Sequence, residues 1–196
     1  MKINTSCPVL VTGATGYIAG WVVKNLLDKG ITVHAPIRNL SNKEKRAHLD
    51  ELAENSSGQI KYFESDLLIE NSYEEAMKGC ELVIHTASPF VMDSKDPQKE
   101  VIDPALIGTQ NVLKTVNEVE SVKRVVLTSS VAAIYGNGVD AQSVDGGIFN
   151  ESMWNTTSTA TDGEYSYSKT IAEKEAWRIN EEQKRWDLVV INPSFV

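Results

Sequence analysis

Tyr165 and Lys169 form the pair of side chains in this sequence with the most evident chemistry. A spacing of four places both residues on one face of a helix, so the ammonium group can approach the phenol. A free tyrosine has a pKa of about 10, whereas a neighbouring cation stabilises the phenolate and lowers that pKa. We therefore predict that this pair moves a proton at neutral pH. Tyr167 is the competing phenol, but its spacing of two from the lysine puts it on another face.

Ser130 supplies a hydroxyl that can act on the same substrate atom. It follows an apolar run, residues 122–128, that predicts a β-strand. Ligands of open α/β sheets bind at the carboxyl ends of the strands, so this hydroxyl is placed to hydrogen-bond and polarise a carbonyl oxygen. Ser129 is adjacent and is the alternative. We select Ser130 because it directly precedes the loop.

A glycine-rich turn follows the first apolar run, residues 9–12, and opens the first predicted helix. Gly13 permits the tight turn, Gly16 lets a ligand approach the backbone, and Ala19 is small enough for the helix to sit against the strand. Such a turn directs unpaired N–H groups and the positive end of the helix dipole toward a pyrophosphate. The pattern is a variant of the dinucleotide fingerprint, and an ordinary strand–helix turn is the alternative. The other candidate cofactor contacts in this turn are Thr15, Tyr17 and Ile18.

The end of the second predicted strand, residues 31–37, distinguishes the two forms of the dinucleotide. An acidic residue there accepts hydrogen bonds from a ribose 2′-hydroxyl, whereas an arginine favours a 2′-phosphate. The sequence has Arg38 at this position and Lys45 close behind, and residues 31–42 contain no acidic residue. We therefore predict NADP(H) as the cofactor. The alternative is that these basic residues only form the solvent-exposed start of a helix. This alternative does not explain why the segment has no acidic residue.

Apolar strand-like segments alternate with segments of helical periodicity along the chain. This alternation predicts an α/β fold, a doubly wound parallel sheet (Rossmann fold) of about six strands with helices on both faces. The predicted strands are residues 9–12, 31–37, 60–64, 82–85, 122–128 and 186–192, and the later predicted helices are a second one capped near Ser41 or Asn42 and then residues 71–78, 97–119 and 164–184. The whole chain, 1–196, is predicted to form one NAD(P)-binding domain.

Two further strand ends carry candidate cofactor contacts. Asp66 follows the third strand, where it either meets the adenine or caps the following helix, and both alternatives remain open. After the fourth strand, the small residues Thr86, Ala87 and Ser88 allow the backbone to lie alongside the cofactor.

Residues 136–163 differ from the rest of the chain because they are acidic and rich in Ser, Thr and Gly. An irregular segment of this length inside a compact domain is more often functional than idle. Its apolar members either line a substrate entrance or anchor the loop to the body of the domain, and anchoring is the preferred interpretation. These members are Ile148, Phe149, Met153 and Trp154.

Together these motifs resemble the extended short-chain dehydrogenase/reductase family, in the branch that contains dihydroflavonol and cinnamoyl-CoA reductases. The residues that carry the resemblance are 12–19, Arg38, 66–67, 85–89, 128–130, 165–169 and 192–194. The resemblance implies that Ser130, Tyr165 and Lys169 are the catalytic triad and that Lys169 also holds the nicotinamide ribose. It adds Leu67 and Pro193 as cofactor contacts. Members of the family continue well beyond this proline into a substrate-binding domain, which this chain is predicted to lack.

Composition excludes several classes of function. A formal net charge of −8 argues against a nucleic-acid partner, because binding a polyanion requires a basic face. Residues 1–6 are polar and no apolar run approaches about 18 residues, so we expect no signal peptide, no membrane partner and a cytoplasmic location. Two cysteines and three scattered histidines predict no metal site.

Cys7 and Cys80 each precede a predicted strand and so can lie near each other, as reduced thiols rather than a disulfide.

The preferred function is an NADPH-dependent reductase of a small-molecule ketone or aldehyde, with the proton supplied by Tyr165. One alternative is a nucleotide-sugar epimerase or dehydratase, which uses the same triad with a retained NAD; Arg38 argues against it. The other is a dinucleotide-binding sensor without chemistry, against which Tyr165 and Lys169 argue. Whether the protein is a monomer or a homodimer is open at this point.

Overall fold

The computed structural model describes residues 2–88, 94–194 and 196. Its strands are β1 (Val9–Thr12), β2 (Thr32–Ile37), β3 (Gln59–Glu64), β4 (Leu82–His85), β5 (Arg124–Thr128) and β6 (Asp187–Ile191). They form one six-stranded sheet in the order β3-β2-β1-β4-β5-β6, and all its neighbouring strands are parallel. The predicted doubly wound sheet is therefore confirmed.

The helices cover both faces of this sheet. They are α1 (Tyr17–Asp28), α2 (Ala47–Glu54), α3 (Glu74–Met77), α4 (Asp103–Glu118) and α5 (Glu164–Glu181). Side chains of β1 alternate between two hydrophobic cores: Val9 and Val11 pack with α1 and α2, whereas Leu10 packs with α3, α4 and α5. Because such central strands are buried on both faces, their sequences are continuous apolar runs.

The order in which strands are added to the sheet reverses at β1. β4 lies beside β1, although β2 and β3 separate these two strands in sequence. Thr12 and His85 are paired at the carboxyl ends of these two strands. In doubly wound folds, ligands bind in the crevice outside the strand ends at such a switch point. The topology therefore brings the glycine turn and residues 86–88 to the same edge.

Several predicted boundaries shift in the structure. β5 begins at Arg124 rather than at residue 122, and the helix predicted over residues 71–78 is reduced to α3. Asn71 has a φ of +61°, a left-handed conformation that an α-helix excludes. The predicted second helix is present, but its predicted cap near Ser41 or Asn42 is wrong, because α2 begins at Ala47 with Arg46 as its N-cap. Asn42 instead accepts a hydrogen bond from the backbone N–H of Lys45 at 3.1 Å, in the turn before the helix.

Cys7 and Cys80 are free thiols at the amino end of the sheet. Burial, with a smaller contribution from the nearby Cys7, raises the pKa of Cys80 to about 12. The two thiols therefore lie near each other without a bond, as the strand order predicts. Within the described ranges, no helix is long and apolar enough to cross a membrane.

Candidate functional site

The glycine turn and the end of β4 contact each other directly. Gly13 has a φ of +65°, and a Cβ atom there would lie 2.9 Å from the Cα of Ala87. The Thr12 hydroxyl oxygen accepts hydrogen bonds from the backbone N–H groups of Thr86 at 3.2 Å and Ala87 at 3.1 Å. Gly13 is thus required both by its backbone angle and by this close approach. The structure brings together three predicted contact residues, Gly13, Thr86 and Ala87.

The same threonine determines the tautomer of the buried His85. Because the Thr12 hydroxyl already accepts two N–H groups, its single proton is donated to Nδ1 of His85 at 2.7 Å. The proton of His85 is therefore on Nε2. Burial lowers the pKa of His85 to about 3, with a further contribution from the charge of Lys169. A neutral imidazole thus lies at the base of the site, a role that sequence analysis did not assign.

The first turn of α1 can receive an anion. Gly16 is the N-cap in an extended conformation, and no side chain among the described residues caps this helix. A Cβ atom on Gly16 would approach only the Gly13 carbonyl oxygen, at 3.2 Å, so the outer side of the turn is open to a ligand. Tyr17 and Ile18 are exposed beside it and Thr15 is half-buried. Uncapped N–H groups at an accessible helix start suit a pyrophosphate.

Two basic residues lie at the adjoining edge of the sheet. Arg38 directly follows β2 and is exposed, and Lys45 is exposed in a 3₁₀ turn before α2. Arg46, by contrast, packs against its neighbours. Its guanidinium carbon lies 4.5 Å from the centre of the Tyr62 ring, and its Nε lies 3.5 Å from a carboxylate oxygen of Asp50. The arrangement leaves Arg38 and Lys45 accessible to a phosphate.

Asp66 does not cap a helix. Its carboxylate accepts a hydrogen bond from the backbone N–H of Leu68 at 2.8 Å, while α3 begins eight residues later. Leu67 packs against Gly108 of α4 and is half-buried. The capping alternative is therefore wrong. The adenine contact of Asp66 and the cofactor contact of Leu67 stay predictions. Asp66 and Arg38 are both near the buried Tyr73: burial raises the pKa of its hydroxyl, Asp66 raises it further and Arg38 lowers it.

The three predicted catalytic side chains meet where β5 ends and α5 begins. A hydrogen bond joins the side chains of Ser130 and Tyr165. The ammonium of Lys169 lies 5.8 Å from the centre of the Tyr165 ring. Ser130 also accepts a hydrogen bond from the backbone N–H of Ala132 at 3.1 Å, so its own proton is left for donation.

The neighbouring Ser129 occupies a different position from Ser130. Its hydroxyl oxygen is buried and has no hydrogen-bond partner in the described part of the chain. It lines a narrow cleft together with Ser88, His85 and Lys169. Pro89, which completes the predicted motif after β4, lies outside the described residues. Of the two serines, Ser130 is the one that the structure joins to Tyr165.

The protonation of the pair differs from the sequence-based expectation. The prediction that Lys169 lowers the pKa of Tyr165 is wrong, because burial raises that pKa and the hydrogen bond with Ser130 only partly offsets the effect. Burial also lowers the pKa of Lys169 to about 8, and the charge of Glu173 acts in the opposite direction. The phenol therefore keeps its proton at neutral pH, which suits a proton donor.

A buried polar network behind the triad was not predicted from the sequence. The Asn192 amide nitrogen donates to the backbone oxygen of Ser130 at 3.1 Å and to the Glu173 carboxylate at 2.8 Å. Pro193 follows, and its backbone oxygen accepts from the N–H of Val131 at 3.0 Å. The available sequence signal was a glutamate four residues after Lys169, on the same helix face.

The model of the NAD dependent epimerase/dehydratase family matches residues 9–196. The chain belongs to this family. The match includes β1, the glycine turn and all three predicted catalytic residues.

Similar proteins of the epimerase/dehydratase family include plant reductases. Cinnamoyl-CoA reductase CAD2 from Medicago truncatula is 44% identical over 196 residues, which cover 98% of this chain and 59% of that protein. Tetraketide alpha-pyrone reductase 1 from Arabidopsis thaliana is 38% identical over 190 residues, which cover 96% of this chain and 57% of that protein. These relatives confirm the predicted resemblance to the reductase branch.

Solved structures of similar fold include reductases. Gre2 from Candida albicans in complex with NADPH is 32% identical with a TM-score of 0.81, covering 96% of this chain and 57% of that one. Vestitone reductase from alfalfa is 28% identical with a TM-score of 0.73, covering 95% and 56%. The chain thus spans little more than half the length of the relatives it matches.

The irregular segment of residues 136–163 is anchored mainly by polar contacts. The buried Asn155 amide donates to the backbone oxygen of Ala132 and to the Ser158 hydroxyl, both at 2.9 Å. Phe149 stacks on Tyr135 with ring centres 4.6 Å apart. Anchoring is therefore the observed role of Phe149, whereas the side chain of Ile148 is 72% exposed.

A wider depression lies on the outer face of α1, away from the triad. Its walls include Tyr17, Ile18, Trp21 and Val196 and are almost entirely apolar. It contains none of the predicted acids or bases. We therefore take the cleft beside Lys169 as the candidate site.

Proposed function

We propose that this protein is an NADP(H)-dependent reductase of a ketone or aldehyde carbonyl. The observation that carries the proposal is the convergence of the Ser130 and Tyr165 hydroxyls beside the buried ammonium of Lys169. A carbonyl oxygen placed at the two hydroxyls would accept a hydrogen bond from each. Preorganised donors aimed at an oxygen that gains negative charge are a main source of catalysis.

The residues at the strand ends fit a dinucleotide. The uncapped, open start of α1 suits the pyrophosphate, and the exposed Arg38 and Lys45 suit a 2′-phosphate. When bound, the nicotinamide would supply the hydride. Gre2 structures from two yeasts were solved with NADPH, which supports the same preference for this relative.

The protein's own groups manage the proton and the orientation. Tyr165, protonated at neutral pH, donates its proton to the carbonyl oxygen as that oxygen becomes an alkoxide. Ser130 holds the oxygen in place, and Lys169 stabilises the phenolate that the donation leaves behind. Ser130 directly follows β5, and Tyr165 and Lys169 are one turn apart on α5.

The substrate wall is proposed to come from elsewhere. The similar reductases are longer than the part they share with this chain, and we propose that their additional length completes the substrate pocket. The substrate class beyond a small carbonyl compound, a cytoplasmic location and the choice between monomer and homodimer stay predictions.

A nucleotide-sugar epimerase or dehydratase is the second candidate, because the matching family model is named for these activities. A cofactor titration separates the two candidates. We expect tighter binding of NADPH than of NADH, measured by the fluorescence of the bound reduced nicotinamide. Comparable affinities would remove the main reason for preferring carbonyl reduction.

A further inference from the structure

We propose that Glu173 is a positioning residue that holds the Ser130 end of β5 against α5 and places a negative charge one helical turn from the Lys169 ammonium. The inference deepens the proposed function and rests on it for the role of Lys169. Glu173 lies one helical turn after Lys169, and both residues line the cleft. Its carboxylate is hydrogen-bonded to Asn192 and Trp177, so it acts through its neighbours.

Burial and hydrogen bonding fix the carboxylate of Glu173. The residue is only 6% exposed. One oxygen accepts from the Asn192 amide at 2.8 Å and the other from the Trp177 indole at 3.4 Å. A buried charge is unfavourable without such partners, and an indole or amide N–H can only donate. This donor set therefore suits an ionised carboxylate.

The Asn192 amide nitrogen carries the effect of Glu173 to the catalytic serine. It donates to the Glu173 carboxylate and also to the Ser130 backbone oxygen at 3.1 Å. The side chain of Ser130 in turn bonds Tyr165. Asn192 directly follows β6, Ser130 directly follows β5, and Glu173 is on α5. The carboxylate thus joins three elements at the position where the triad must keep its geometry.

The charge of Glu173 also acts on Lys169. The titratable groups that face this ammonium are Tyr165 and Glu173 on the same helix and His85 at the end of β4. Tyr165 and His85 are neutral at pH 7, so Glu173 is the charged group among these neighbours of Lys169. Within the described residues, no ion pair shorter than 4 Å joins Glu173 to Lys169. The carboxylate of Glu173 therefore acts on the ammonium of Lys169 through its electric field. That field raises the pKa of Lys169 against the effect of burial.

The direct test is a titration of Lys169 by NMR in protein labelled with ¹³C-lysine, with the Lys169→Met variant assigning the signal. Glu173→Gln keeps the size of the side chain and removes the charge. We expect the midpoint of the Lys169 titration to fall by about one pH unit. Glu175→Gln is the matched control, because Glu175 is on the same helix but bonds Gln110 and Arg178; its midpoint should equal that of the unchanged protein.

A second variant separates position from charge. Asn192→Ala breaks the connection to Ser130 but leaves the carboxylate, so the Lys169 midpoint should not fall while NADPH-dependent reduction slows roughly tenfold to a hundredfold. If Glu173→Gln does not fold, as judged by circular dichroism, Glu173→Asp keeps the charge and should keep the midpoint. A midpoint unmoved in folded Glu173→Gln, or full activity of Asn192→Ala, would overturn the proposal. The titration needs no turnover, so absence of carbonyl reduction in the unchanged protein would contradict only the proposed function.

Discussion

The two halves of the sheet present their functional residues in opposite ways. In the β1–β3 half, Arg38, Lys45 and Tyr17 are exposed. In the β4–β6 half, Ser130, Lys169 and Glu173 are each less than a tenth exposed, and hydrogen bonds hold Ser130 and Glu173.

This difference matches the two tasks that a reductase of this fold performs. Recognition of a charged cofactor needs accessible donors that the ligand itself can order. Acid catalysis needs groups whose positions and protonation are set before the substrate arrives. We therefore expect changes at the exposed residues of the first half to alter cofactor affinity alone, and changes at the buried residues of the second half to alter turnover, stability or both.

The largest expected effect is on turnover, from removal of the proton donor. Tyr165→Phe deletes one hydroxyl and should reduce carbonyl reduction by roughly 10²- to 10⁴-fold. NADPH affinity should change little. Steady-state kinetics with a carbonyl substrate measure the effect. Tyr167→Phe, two residues along the same helix, is the control and should stay active. Undiminished turnover of Tyr165→Phe would show that Tyr165 is not the proton donor.

The next effect is on stability. Asn192→Asp would place a second carboxylate against Glu173 and leave the Ser130 carbonyl oxygen without its donor. We expect a loss of about 3 kcal/mol in the free energy of unfolding, measured by urea denaturation. Asn150→Asp in an exposed loop is the control, because its side chain there only accepts hydrogen bonds. Equal stability of the two variants would show that the network behind the triad is not tightly packed.

Cofactor affinity tests the other half of the comparison. Arg38→Ala should weaken NADPH binding about tenfold to a hundredfold, because a charge-assisted contact to phosphate contributes roughly 1.5 to 3 kcal/mol. NADH binding and the urea midpoint should stay nearly unchanged. Lys43→Ala removes an exposed positive charge nearby and serves as the control. An equal loss for both nucleotides would mean that Arg38 does not contact the 2′-phosphate.

The last effect is a dependence of stability on pH. His85 has a folded-state pKa of about 3 against about 6.5 when unfolded, so the unfolded chain binds more protons between these values. Stability is therefore fully present above pH 6.5 and falls with acidification, at up to about 1.4 kcal/mol per pH unit for this group. His85→Asn should flatten the slope, measured by urea denaturation at several pH values. The exposed His48→Asn should not, and equal slopes would indicate that His85 protonates in the folded protein.

The sequence was sufficient to predict features that depend on the residue types within one short segment. Apolar runs located the strands, and Gly13 was recognisable because its turn excludes a side chain. The position of Glu173 relative to Asn192 was not predictable, since it depends on how α5 packs against the end of β6, 19 residues away in sequence. The raised pKa of Tyr165 was missed for a related reason: the spacing to Lys169 is visible in the sequence, but the degree of burial is not.

Hydride transfer itself tests the central claim most directly. The protein, in molar excess over deuterium-labelled NADPH, is mixed with a panel of ketones and aldehydes, and the products are analysed by mass spectrometry. This single-turnover design detects reduction even if the 196-residue chain turns over slowly without the additional length of its relatives. We predict an alcohol that carries one deuterium at the former carbonyl carbon and that Tyr165→Phe fails to form. Bound NADPH with no deuterated alcohol from any carbonyl compound would contradict the account.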